Sequence, residues 1–98
     1  MRIKVNKLNG IKKHLGLMFL NQFEPIYFET RFGIHTFFVK RPIDVIVMDA
    51  DFIVRDMRIG LKPFGIFVWD LNYFRVIETE HGFIKKQNIK IGQKIILK

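Results

Sequence analysis

Three small groups of side chains in this sequence are of the types that do chemistry. His35 and Thr36 open one apolar run, and Asp44 sits inside a second. Polar groups in apolar strands must be hydrogen-bonded. These three are therefore either donors and floor of a ligand pocket, or internal partners that hold turns in place. A hairpin of residues 34–39 and 43–48 about Arg41-Pro42 has one register with His35 and Asp44 on the same face, about 13 Å apart along the strands. That is too far for a shared metal, and no metal site is assigned. Glu78, Glu80 and His81 form the second group. Glu78 and Glu80 share a strand face about 6.5–7 Å apart, within the range of paired carboxylates in glycoside hydrolysis, yet such spacing is ordinary on a solvated strand. Asp49 and Asp51 lack the further ligands and the glycine of a calcium loop, and predict a turn. The third group is aromatic: Phe67 and Trp69 follow Lys62-Pro63-Phe64-Gly65. They suit either a core or the rim of a pocket near His35, Thr36, Asp44 and Glu78.

Composition closes several routes. The 98 residues contain no Cys and no Ser, which removes disulfides, thiolate zinc sites and both serine and cysteine nucleophiles. No catalytic residue and no cofactor is assigned. The N-terminus has no apolar stretch behind it, and no run approaches the roughly 18 residues of a membrane span. A cytoplasmic protein with no membrane span is the expectation.

The charge is patterned. Formal net charge is +8. Residues 1–14 carry five basic residues and no acid, residues 85–98 carry another five and no acid, and the middle sums to −2. Both ends read as strands: Ile3 and Val5 alternate with Arg2 and Lys4, while Ile89, Ile91, Ile95 and Leu97 alternate with Lys90, Lys94 and Lys98. Chain termini often lie close together. Arg2, Lys4, Lys90, Lys94 and Lys98 then form one basic face for a polyanion such as nucleic acid. The alternative is solubility and edge-strand protection by Lys.

The elements that position these groups are short. Asn9 is a candidate N-cap for a helix over residues 11–20, the one short helix expected in the N-terminal half. Strands are expected near residues 2–8, 26–30, 34–39, 43–48, 52–59 and 73–80, with the last run at the C-terminus and one helical turn over 83–88. Residues 43–48 form a nearly continuous apolar run, which predicts a strand buried on both faces. Residues 60–72 read as irregular. The spacing predicts a single mainly-β domain over 1–98, a small sandwich or flattened barrel.

The segment Leu15-Gly16-Leu17-Met18, the run from Ile34-His35-Thr36-Phe37 through Pro42-Ile43-Asp44-Val45, Val76-Ile77-Glu78 with Gly82, and Ile91-Gly92-Gln93 together resemble the prokaryotic family known as domain of unknown function 192. Phe38 and Val39 replace a Gly and a Met of the central signature, and Gln93 replaces an Asp. The resemblance implies a jelly-roll-like β fold and no activity. The functional expectation is a non-catalytic binding module for a small ligand or a polyanion; the alternative is a small hydrolase or lyase using Asp, Glu and His. The partner and the oligomeric state are not determined.

Overall fold

The computed structural model describes residues 1–7, 24–36 and 40–98. The helix expected over 11–20 and residues 37–39 of the third strand lie outside that set. The described residues form β1 (Arg2–Ile3), β2 (Asn6–Lys7), β3 (Ile26–Glu29), β4 (Gly33–His35), β5 (Ile43–Met48), β6 (Val54–Leu61), β7 (Ile66–Val68), β8 (Arg75–Glu80), α1 (Phe83–Gln87) and β9 (Ile96–Leu97). The fold is mainly β, as expected, and the strands of the described residues do not close into a barrel.

A five-stranded sheet in the order β2-β3-β8-β5-β6 is the middle layer. β5 lies between β8 and β6 with all six residues buried, as its unbroken apolar pattern requires. Strand alternation splits the core in two. Ile46, Met48 and Ile77 face one side, where Ile3, Val5, Ile84, Ile89 and Ile95 cover them. Ile43, Val45, Val47 and Val76 face the other, beneath Leu61, Phe67 and Trp69.

Each side has its own two-stranded cover. On the first, β1 runs parallel to β9, with Arg2 beside Ile96 and Ile3 beside Leu97. The chain then passes through buried Val5 and joins the central sheet as β2, parallel to β3. On the second, β4 pairs antiparallel with β7. The hairpin expected between residues 34–39 and 43–48 is therefore not the pairing that forms. The partner of β4, β7, is hidden in the segment read as irregular, because the four residues between Pro63-Phe64-Gly65 and Asp70 give too short a pattern to register as a strand.

Turns are made at unusual residues. Lys62-Pro63-Phe64-Gly65 closes with a hydrogen bond from the Gly65 amide to the Lys62 carbonyl at 3.0 Å. Proline occupies the second position, but Phe64 takes the positive-φ third position at φ 62, where Gly or Asn is usual. Phe32 adopts φ 77. For a bulky residue this conformation costs about 1–2 kcal/mol. The Asp49 turn forms as the sequence suggests. Its carboxylate accepts the amides of Asp51 and Ile53 at 2.8 and 3.1 Å and the Arg55 Nε–H at 2.7 Å. Burial opposes the charge there, but the Arg55 and amide hydrogen bonds outweigh it and hold Asp49 below the ordinary carboxylate range.

At the β3–β8 pairing, the Tyr27 hydroxyl donates to Glu29 at 2.8 Å, and Arg75 Nη1 donates to Tyr27 at 2.9 Å and to Glu29 at 3.0 Å. The guanidinium lies 4.1 Å from the Phe52 ring centre and 4.8 Å from that of Phe74. Burial pushes the Tyr27 phenol up to about 12, the Arg75 hydrogen bond pulls against it, and Glu29 adds to the rise. A phenol raised above its unfolded value near 10 leaves stability unaffected below that pH. Stability then falls as pH climbs toward the folded value, because only the unfolded chain has released its proton. Urea titrations at pH 9, 10, 11 and 12 should show wild type losing more stability than Tyr27→Phe between about pH 10 and 12; parallel curves would show that the phenol titrates normally.

Candidate functional site

Among the described residues, Asp44 is the buried side chain that accepts the most backbone amides. It is fully buried in β5, and its position is set by a bulge in its neighbour. Ile43 pairs with Leu61 and Val45 with Arg58, so β6 carries one extra residue opposite Asp44. The bulge is made at Gly60, φ 68. A β-carbon there would be strained and would approach His81 Nε2 at 3.2 Å. The Gly60 amide turns out of the ladder and donates to Asp44 Oδ1 at 2.9 Å. Oδ2 accepts the amides of Gly82 at 3.0 Å and Ile84 at 3.1 Å. One carboxylate thus ties the β6 bulge to the start of α1, where unsatisfied amides need an acceptor. The sequence reading had Asp44 either as a pocket floor or bonded to amides of the turn before it. It does bond amides, but they come from positions 16, 38 and 40 residues away.

Thr36 has a similar occupation. It is fully buried. Its hydroxyl donates to the Lys62 carbonyl at 2.5 Å and accepts the Gly65 amide at 2.8 Å. Its backbone bonds Gly65 and Phe64 as well. Thr36 pins the turn that leads into β7.

Asp44 and Glu78 do not share a pocket. Asp44 pairs with Thr79 while Val45 pairs with Glu78, and successive side chains point to opposite faces. Glu78 therefore lies on the Phe67 side of the sheet, between Ile26 and Val45, and is 5% exposed. His35 is exposed at the end of β4, paired with Ile66. Phe67 and Trp69 are buried, so of the two places the sequence leaves open for them they take the core. They meet edge to face at 5.3 Å, and Trp69 Nε1 donates to the Tyr73 carbonyl at 2.8 Å. Once β7 forms, Phe67 alternates inward between exposed Ile66 and Val68. Among the described residues, no group of three or more His, Cys, Asp or Glu side chains is arranged to hold a metal ion.

The basic termini are brought together. Hydrogen bonds from the Ile96 amide to the Met1 carbonyl at 2.7 Å and from the Lys98 amide to the Ile3 carbonyl at 3.0 Å join the two ends. Ile3, Val5 and Ile95 turn inward, and Arg2, Lys4, Lys94 and Lys98 are exposed. Lys90 is exposed in the turn that precedes them. Ile91, expected inward, is 57% exposed, because Gly92 at φ 89 interrupts the alternation. The sequence reading did not assign Lys85 and Lys86 to this face. Both are exposed in the last turn of α1, where cations suit the helix C-terminus.

Known proteins place the chain more closely. It is 36% identical over 93 residues to the UPF0127 protein of Pyrococcus abyssi, covering 89% of this chain and 79% of that one. The chain belongs to the UPF0127 family. The UPF0127 protein of Pyrococcus horikoshii is 36% identical over 91 residues, covering 87% and 78% of the two chains. No protein-family model matches. Two solved structures share the fold. One is a protein of unknown function from Novosphingobium aromaticivorans, with TM-score 0.77, 19% identity and coverage of 92% of this chain and 70% of that one. The other is named "putative transcription regulator", from Sinorhizobium meliloti, with TM-score 0.79, 17% identity and coverage of 92% and 78%. UPF0127 is an uncharacterised family, in keeping with the expectation from the central signature. No helix among the described residues of this UPF0127 chain is long and apolar enough to cross a membrane.

Removing a buried acceptor leaves its donors unsatisfied at about 1–3 kcal/mol each. Asp44→Ala should therefore cost about 3 kcal/mol or more in urea unfolding, and Asp44→Asn about half of that, since one oxygen still faces amides. Stability within about 0.5 kcal/mol of wild type for both would mark the carboxylate as a binding group and not a structural one.

Proposed function

We infer that this protein is a non-catalytic binding module whose β1–β9 ribbon recognises a polyanion, with single-stranded nucleic acid as the ligand class. The observation that carries the reading is the parallel pairing of the two chain ends, which sets Arg2, Lys4, Lys94 and Lys98 on one exposed ribbon. Their mutual repulsion works against the pairing, and a bound phosphate backbone would relieve it. Lys90, and Lys85 and Lys86 at the end of α1, extend the positive surface along the C-terminal segment. The absence of acids from residues 1–14 and 85–98 leaves that segment without internal neutralisation. The name of the Sinorhizobium neighbour is in keeping with such a ligand. The likeness to domain of unknown function 192 belongs to the same reading and supplies a fold without an activity.

The small-ligand alternative has less support. Thr36 and Asp44 are engaged in backbone hydrogen bonds, and Phe67 and Trp69 are in the core. The hydrolase or lyase reading lacks an observation in its favour, since Glu78 and Asp44 face opposite ways.

A fluorescein-labelled mixed-sequence RNA oligonucleotide, followed by anisotropy across a salt series, tests the proposal. Neutralising four phosphates should give a log–log slope near −3, about −0.7 per contact. Each of Arg2→Gln, Lys94→Gln and Lys98→Gln should flatten the slope by roughly 0.7. No saturable binding at low salt, or binding insensitive to all three substitutions, would leave the charge as edge protection.

A further inference from the structure

The side of the central sheet away from the β1–β9 ribbon is covered by β4–β7, and the outer surface of that cover carries exposed apolar side chains beside the exposed His35, which pairs with Ile66. Ile66 and Val68 are 61% and 67% exposed. Phe64, ahead of β7, is 77% exposed, and Phe32, ahead of β4, is 64% exposed. Leu71, whose carbonyl accepts Arg31 Nη1 at 2.6 Å, is 50% exposed. These five side chains present on the order of 500 Å², taking roughly 150–200 Å² for each when fully open. That is at the upper end of the patches found on monomers. Gly33 lies opposite Val68, and a β-carbon there would meet the Phe67 carbonyl and the Val68 Cα, so the surface between the strands is flat.

Two residues in a strained backbone conformation border this surface, while a third, Phe52 at φ 63, packs against the core. Phe32 and Phe64 both occupy positive φ, 77 and 62, where a bulky residue is an outlier. Gly or Asn would make either turn without strain.

We propose that this face is self-complementary and joins two copies of the chain about a twofold axis. Area favours a second copy: two such patches together bury about 1,000 Å² of apolar surface, the lower bound for a specific interface. Charge favours it too. Exposed Lys62 precedes the ribbon and exposed Asp70 follows it. An axis running across the strands lays the Lys62 end of one β7 over the Asp70 end of its partner, with opposite charges meeting at both ends. Net charge gives the third argument. The basic termini lie on the other side of the central sheet, so association through β4–β7 keeps them apart.

Sedimentation velocity from about 5 to 500 μM, the range in which a minimal interface dissociates, reads the proposal directly. The mass should rise from 11.7 kDa toward twice that value. Ile66→Asp and Val68→Asp should each weaken association at least tenfold. Phe32→Gly and Phe64→Gly should weaken it with thermal midpoints equal to or above wild type, which separates an interface effect from misfolding. Lys62→Asp and Asp70→Lys should each weaken it, and the double exchange should restore it. A monomer at every concentration overturns the proposal, as does a dimer indifferent to all of these changes. A variant with Arg2, Lys94 and Lys98 reversed in charge should dimerise normally, so loss of polyanion binding and loss of the dimer are read separately.

Discussion

The fold depends on one buried anion. Asp44 receives three amides from the β6 bulge, the β8–α1 turn and the first turn of α1, segments that sheet pairing alone would not lock together. A buried carboxylate without such donors would be costly, and three buried amides without an acceptor would be costly as well. Each side of the interaction is tolerable only because of the other. Gly60 follows from it: only a residue at ease with positive φ can aim its amide at Oδ1, and the neighbouring His81 ring leaves little room for a side chain. With the bulge and α1 fixed, Ile84, Ile89 and Ile95 are held over the central sheet, and the segment leading to β9 lies against residues 52–54. β9 can then meet β1. The same carboxylate therefore underlies the position of the basic ribbon.

The parts of the fold legible in the sequence were those governed by local pattern. Residues 43–48 read as a doubly buried strand because nearly every side chain is apolar. The Asp49 turn and the helical turn after Gly82 were marked by residues that cap or break. Long-range pairing was not legible. β4 joins β7 instead of β5, and nothing local distinguishes the two partners. The burial of Phe67 and Trp69 follows from that pairing, so the sequence left core and rim open for both. The amides that satisfy Asp44 are 16 to 40 residues away, so its role as an acceptor was open from its type while its partners were not. The exposed phenylalanines did leave a signal. Each stands before a glycine inside a turn, and the residue forced to positive φ proved to be the Phe.

The molecule divides its polar chemistry by location. The interior side chains of Thr36, Asp44 and Thr79 are engaged in holding backbone. The cations gathered by β1 and β9 stand outside and lack acidic neighbours in sequence. Small β domains have limited core, and each buried polar group they keep must be satisfied internally. Recognition then falls to the surface layers, one basic and one apolar, on either side of the same sheet.

That division is tested most directly by amide chemical-shift mapping of the isotope-labelled protein as a single-stranded oligonucleotide is added at low salt. The account predicts shifts confined to residues 2–7 and 85–98, reversed by salt, with the amides of Thr36, Asp44 and Glu78 unmoved. Shifts centred on His35, Thr36 and Glu78 that persist at high salt would contradict it and place recognition around β4 and β8 instead of at the basic ribbon.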